Sequence, residues 1–239
     1  MAIKISVITP TLRPDSLKMN RKCLERQTFK DFEWLVVSPY EYKHATWVPE
    51  PAKKKETFYN LNAAWNAAFK VSKGDLIVSI VDLLYFPPDI LERLWSHYKA
   101  NPEACVTFLG NQYKEIVDGK PETVVWYDPR RQNKSFYQVD PLYFELCIAS
   151  LPRKGIYDVG GVDEEYDRGA AVSEKELCKR LEKKGYTFWT DETLEYRALY
   201  HERIGGMEEW DKHYMTSCIL YTKHTKEIAE GKRLKLDYL

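Results

Sequence analysis

Residues 75–94, DLIVSIVDLLYFPPDILERL, decide how this chain folds, because one carboxylate, Asp82, directly follows an unbroken apolar run. The run at 76–81 has the length and the β-branched content of a buried strand. Pro87 and Pro88 follow, and then Ile90, Leu91, Leu94 and Trp95 recur at helical spacing, so the chain leaves the strand by a short loop and enters a helix at Pro88. Asp82 is thereby placed at the carboxyl end of a strand. In open α/β sheets ligands bind in the crevice outside those ends, where a single acid holds a metal or a ribose, or else merely caps the next helix.

On the amino-terminal side, residues 3–9 are β-branched and end at Pro10, which predicts a strand. Residues 15–27 predict a helix with Asp15 as its N-cap, and residues 32–37 a second strand cut off by Ser38 and Pro39. After a polar loop containing Lys53, Lys54 and Lys55, the positions Phe58, Leu61, Ala64, Trp65, Ala68 and Phe69 fall on one helical stripe that ends near Gly74. The order β-α-β-α-β-α predicts a parallel sheet with right-handed crossovers and a nucleotide-type site along its upper edge. Beyond residue 104 the rhythm becomes antiparallel: strands at 105–109, 113–117 and 123–127, the last two joined by a turn at 118–121. A polar, mobile loop is expected at 128–135, a strand near 142–148, a helix at 173–184, late strands at 186–189 and 194–199, and a closing helix at 208–230.

Lys plus Arg and Asp plus Glu each number 36 in the 239 residues, so the chain carries no net charge, which disfavours nucleic acid and membrane surfaces as partners. Five cysteines, odd in number and without a Cys-x-x-Cys pair, suggest neither a disulfide framework nor a zinc site. With no charged leader and no apolar stretch near ~18 residues, the expectation is a soluble cytoplasmic protein in a reducing compartment. Aromatic residues make up 14% of the chain, enough to supply sugar-stacking platforms, of which Trp126, Tyr127 and Trp189 are candidates, as well as core.

These pieces, in this order, resemble the family 2 glycosyltransferases, which have the GT-A fold. The resemblance is carried by ISVITPTLR at 5–13, CLERQTFKDFEWLVV at 23–37, the region 62–89 and GGVDE at 160–164, and it spans residues 3–205. It implies a mostly parallel central sheet flanked by helices with a smaller antiparallel acceptor-side portion. The nucleotide-binding half would be residues 1–100, the acceptor half 101–205, and 206–239 a helical extension.

The implied activity is transfer of a sugar from a nucleoside diphosphate sugar to a hydroxyl acceptor on a glycan, glycoprotein or small molecule, with inversion. Such transfer needs a nucleoside pocket, charge neutralisation of the diphosphate and a base for the acceptor. The resemblance places Thr9, Pro10, Thr11, Arg13, Asn62, Asn66 and Asp82 at the nucleotide sugar. Gly160, Gly161, Asp163 and Trp126 would meet the donor sugar or acceptor, and Glu174 at a helix start is the implied base. A box of Ser173 with Glu176 is expected to cap that helix. Family members usually carry Asp-x-Asp after the third strand, whereas here Leu83 and Leu84 follow Asp82. Mn²⁺ or Mg²⁺ would therefore rest on Asp82, the diphosphate and His201. The alternatives are a non-catalytic nucleotide- or glycan-binding relative and glycosylation of a modified nucleic-acid base.

Overall fold

The computed structural model describes residues 2–117, 119–201 and 206–239. The chain runs through β1 (Ile5–Pro10), α1 (Lys18–Glu25), β2 (Phe32–Ser38), β3 (Thr46–Pro49), α2 (Leu61–Val71), β4 (Leu76–Ile80), β5 (Leu84–Tyr85) and α3 (Ile90–Ala100). It continues through β6 (Ala104–Tyr113), β7 (Ile116–Val117), β8 (Lys120–Pro121), β9 (Val124–Trp126), β10 (Phe136–Gln138), β11 (Ile148–Pro152), α4 (Arg153–Val159), α5 (Ser173–Lys183), β12 (Thr187–Leu199) and α6 (Gly206–Ala229).

Ten strands build one sheet in the order β10-β12-β6-β11-β4-β1-β2-β3, with β5 against β12 and β9 against β6. β1 pairs in parallel with both β2 and β4, and β2 with β3. β11 runs antiparallel between β4 and β6, and β12 lies parallel to β6. Six strands thus point the same way, as the alternating β-α order requires, and their carboxyl ends share one edge. One face is covered by α2, α4 and α5 around Trp65, Phe69, Ile156 and Leu177, and the other by α1 and α3 around Leu24, Ile90, Leu91 and Leu94. Gly74 allows β4 to start tight against β1, since a Cβ there would come within 2.5 Å of the Ile5 carbonyl carbon.

The structure departs from the sequence expectations where long-range pairing overrides local pattern. The polar loop after β2 contains β3, which extends the sheet. Residues 141–143 form a 3-10 turn and the strand begins only at Ile148, because pairing with Ile80 of β4 sets its register. Helix α4 occupies a stretch for which the sequence pattern gave no element. The two late strands are one, β12, with a register shift between Asp191 and Glu195. Asp15 caps nothing: it lies in a 3-10 turn, Pro14–Leu17, that leads into α1. Stretch 128–135 is irregular but tied down, with Arg130 bonded to the buried Asp128. Asp118 of the expected turn, and 202–205 at the expected boundary, lie outside the described residues.

The cap of α5 also differs. Val172, in the left-handed region at φ +69°, precedes the helix, and Glu176 turns inward to Arg180 rather than back to Ser173. Glu176 and Arg180 are both fully buried, with Arg180 Nε 2.9 Å from Glu176 Oε1 and Nη2 2.8 Å from Oε2. The remaining guanidinium donors serve the carbonyls of Val159, at 2.5 Å, and Gly161, at 2.9 Å. Helix α6 packs against α5, and the tail beyond it returns so that the Leu236 amide donates to Val159 O at 3.0 Å. Removing one member of a buried pair strands the other charge. Arg180→Leu should therefore cost about 3–5 kcal/mol in urea unfolding, and the added change Glu176→Leu should recover part of it; a single-variant loss under about 1 kcal/mol would show that the pair does not organise this region.

Candidate functional site

A cavity of about 1180 Å³ opens at the edge where the codirectional strands end. Its wall includes Asp82 beyond β4, Gln112 near the end of β6, and Ala198 to His201 at the end of β12. Trp126 of β9, Arg130, Tyr143, Glu145 and Cys147 add to it, with Lys175 from the first turn of α5. Trp126, Tyr143 and Tyr200 are exposed, so aromatic faces border the opening.

Asp82 is buried, and its carboxylate is enclosed by donors. Thr11 Oγ1 donates to Oδ2 at 2.7 Å, Arg13 Nε to Oδ2 at 3.1 Å, Arg13 Nη2 to Oδ1 at 3.0 Å and Ser16 Oγ to Oδ2 at 3.2 Å. The Thr11 hydroxyl accepts from the Arg13 amide at 2.8 Å, which turns the loop so that the guanidinium faces Asp82. Leu83 has φ +61°, a left-handed conformation that costs a branched-chain residue of order 1–3 kcal/mol. The Leu199 amide holds it there by donating to Leu83 O at 3.0 Å, which ties β12 to the turn carrying Asp82.

At the opposite wall Lys175 Nζ donates to Phe144 O at 2.7 Å and lies 3.5 Å from Glu145 Oε1 and 3.8 Å from Glu174 Oε1. Lys175 and Glu145 line the cavity, and Glu174 sits against them. Burial raises the Glu174 pKa above the ordinary range, opposed by Lys175 and reinforced by Glu145. Burial likewise pushes up the thiol of Cys147, so it stays protonated.

Of the residues singled out in the sequence, the cavity gathers Asp82, His201 and Trp126, with Thr11 and Arg13 joined to it through Asp82. Others are engaged elsewhere. Thr9 accepts a hydrogen bond from Trp34 Nε1 at 3.0 Å inside the core, and Pro10 is buried at the end of β1. Asn62 donates from Nδ2 and from its amide to Asp167 Oδ1, each at 2.9 Å, and Ala63 N donates to Oδ2 at 3.0 Å. Asp167 thus caps α2 from a distant segment, which fits a carboxylate at a helix N-terminus. Asn66 clamps Val162 through both its amide atoms. Gly160 faces the Leu236 backbone and Gly161 faces Asn66, so neither approaches the cavity. Asp163 is buried against Arg233, Tyr238 and His224. Lys54 reaches Glu164 at 3.4 Å, and Trp189 stacks on Phe136.

Arg130, Glu145 and Lys175 were not singled out as site residues. Arg130 could have been: Asp128-Pro-Arg130 is a local pair that folds its own loop, with Nη2 2.6 Å from Asp128 Oδ2.

Asp82 does not fit a divalent ion in this arrangement: both oxygens of the single carboxylate are bonded to Arg13, His201 on the same cavity offers nitrogen rather than oxygen, and Leu83 supplies no ligand. Among the described residues, the metal-capable group is Asp163, Glu165 and His224, with ligand atoms within 4.8 Å of one another. None of the three lines the cavity. His224 presents Nδ1 to Asp163 at 3.2 Å and Nε2 to Glu165 at 3.4 Å, so its ring spans the two acids, and Arg233 already occupies Asp163.

No family model and no curated protein sequence matches the chain. Solved structures do. Residues 1–349 of S. aureus TarS in complex with UDP align with a TM-score of 0.59 at 13% identity, over 96% of this chain and 70% of that one. GalNAc-T7 with UDP, GalNAc and Mn²⁺ aligns at 0.66 and 10% identity, over 99% of this chain and 55% of that one. Longer S. aureus TarS aligns at 0.60 and 12% identity, and this chain spans 42% of it. At such identities the likeness is one of fold, and the fold is that of the GT-A glycosyltransferases. Among the described residues no helix is long and apolar enough to cross a membrane.

The capping role of Asp167 has a direct readout. Asp167→Ala frees three buried donors at the start of α2 and should lower stability by about 2–3 kcal/mol in denaturant unfolding. A change within experimental error would mean that α2 is held by its apolar stripe alone.

Proposed function

We propose that this chain is a GT-A glycosyltransferase of the family 2 type. It moves a sugar from a uridine diphosphate sugar to a hydroxyl of a glycan, glycoprotein or small acceptor. The observation that carries the reading is the cavity at the strand carboxyl edge. It brings Asp82, His201 and Trp126 together with the Glu145–Lys175 wall, on a fold shared with structures solved with UDP. At about 1180 Å³ it exceeds the roughly 300–1,000 Å³ of common small-molecule sites, leaving room for donor and acceptor together.

In this reading the nucleotide lies along the loop from Pro10 to Arg13, and the exposed aromatic faces of Trp126 and Tyr143 receive sugar rings. The acceptor oxygen attacks the anomeric carbon as the bond to the phosphate oxygen breaks. The nucleoside diphosphate leaves with the bonding pair, and the hydroxyl proton passes to a carboxylate on the α5 wall. Glu174 is that base, with Glu145 beside it on the cavity surface. No nucleophilic carboxylate is assigned to the donor side, so displacement is direct and inverts the anomeric carbon. The Mn²⁺ or Mg²⁺ implied by the resemblance is given no step, because Asp82 is already occupied.

The test is release of UDP from a panel of UDP-sugars offered with glycan acceptors. Glu174→Gln should lower kcat by ~10²–10⁴ while leaving UDP affinity intact. Because burial raises its pKa, Glu174 is ionised only above the ordinary glutamate range. The wild-type rate should fall as pH drops through that raised value, and this acid limb should vanish in the variant. A larger loss in Glu145→Gln than in Glu174→Gln would move the base to Glu145. UDP binding with no transfer from any donor would make the chain a binding module.

A further inference from the structure

We propose that the donor diphosphate is bound here without a divalent cation, the guanidinium of Arg13 taking the ion's place at Asp82. This rests on the nucleotide-sugar reading and goes beyond it, because it assigns the source of positive charge at the leaving group.

The argument begins with lone pairs. Asp82 Oδ2 already accepts from Thr11, Arg13 and Ser16, and Oδ1 accepts from Arg13. Oδ1 keeps one lone pair, but an ion there would sit against the Arg13 guanidinium, cation beside cation, and would have to compete with a two-point guanidinium–carboxylate fork, one of the stronger charge-assisted contacts in proteins. The position after Asp82 is Leu83, which lines the cavity with an apolar side chain, and Leu84 is buried in the core. Small hard cations need oxygen ligands; of the other metal-capable side chains on the cavity wall, His201 offers nitrogen, Cys147 a protonated thiol, and the Glu145 carboxylate lies 3.5 Å from Lys175 Nζ.

Charge arithmetic leads to the same place. Two carboxylates holding a divalent ion sum to zero, and so does one carboxylate holding one guanidinium. Loss of the second acid and the Arg13 fork therefore leave the local charge as a metal site would have it. What changes is the geometry, because a guanidinium has a second edge. Arg13 uses Nε and Nη2 on Asp82, while Nη1 makes no bond to the described residues, and the side chain is 44% exposed. The free edge can grip a phosphate oxygen while Asp82 fixes the plane of the fork. Thr11 and Ser16 lock Asp82 in turn, so the cation is pre-positioned before any ligand arrives.

The experiment is calorimetric titration of UDP into the full chain in EDTA and again in excess Mn²⁺ or Mg²⁺. The expected result is a dissociation constant that differs by no more than about twofold between the conditions. Arg13→Ala should weaken UDP at least about tenfold in EDTA. With the carboxylate uncovered, Mn²⁺ should then restore part of the affinity in Arg13→Ala, but not in Arg13→Ala/Asp82→Asn. Arg13→Lys keeps the charge without the fork and should fall between. Tightening of wild-type binding by about tenfold or more on adding metal would overturn the inference while leaving the donor reading intact. No UDP binding with or without metal would overturn both. The wild-type comparison needs no variant, so a variant that fails to fold does not blunt it.

Discussion

The buried guanidinium of Arg180 is the constraint on which the cavity wall depends. It sits at full burial among Glu176, Val159 O and Gly161 O, and so locks α5 to the end of α4 and to the loop that follows. A charge of that kind is tolerated inside a protein only when its donors are met, and here four of the five are. The consequence is directional. With Glu176 drawn inward, the neighbouring turn of α5 presents Lys175 toward the cavity and leaves Glu174 beside Glu145. The tail closes the same region, since Gly160 at φ +73° leaves space for the Leu236 backbone that a Cβ would fill. Arg233 and Tyr238 then reach Asp163.

The sheet supplies the other half of the cavity. Because β12 and β6 run in the same direction as β4, the residues leaving all three strands arrive at one edge. β11 crosses in the opposite sense, so it is its beginning, at Cys147 and Ile148, that reaches the edge. Leu83 in its left-handed turn joins the two sides, accepting from Leu199 at the end of β12 while Asp82 is held by the loop after β1. Strain placed next to a buried carboxylate and paired across the sheet is a mark of a position fixed by its surroundings.

Much of this was legible in the sequence. The alternation up to residue 100 and the placement of Asp82 beyond a strand follow from local pattern and order, and the family resemblance pointed to His201, which lines the same cavity as Asp82. What was not legible depends on contacts across long separations. Asn62 and Asn66 have the residue type and helical spacing of ligands, yet their partners are Asp167, 105 residues away, and Val162, 96 residues away. The capping box at Ser173 and Glu176 is a sound local motif that loses to Arg180, whose hold on two carbonyls no window of sequence displays. The segment 142–148 is apolar enough for a strand, but only pairing with β4 decides that the strand starts at its last residue.

The state of the titratable groups at and behind the cavity wall follows from burial. Cys147 is on the wall, but desolvation keeps its thiol neutral and so removes it as a nucleophile. Asp82 is bonded through both oxygens to Arg13, so it is already engaged in holding that guanidinium. Glu174 has the opposite setting: it is desolvated, only loosely paired with Lys175 at 3.8 Å and pressed by Glu145, so its pKa is raised. The two carboxylates thus differ in their company: Asp82 holds a guanidinium, and Glu174 lies only loosely beside Lys175. In the proposed reading the diphosphate's charge is met at the β4 end and the acceptor proton is taken up at the α5 end.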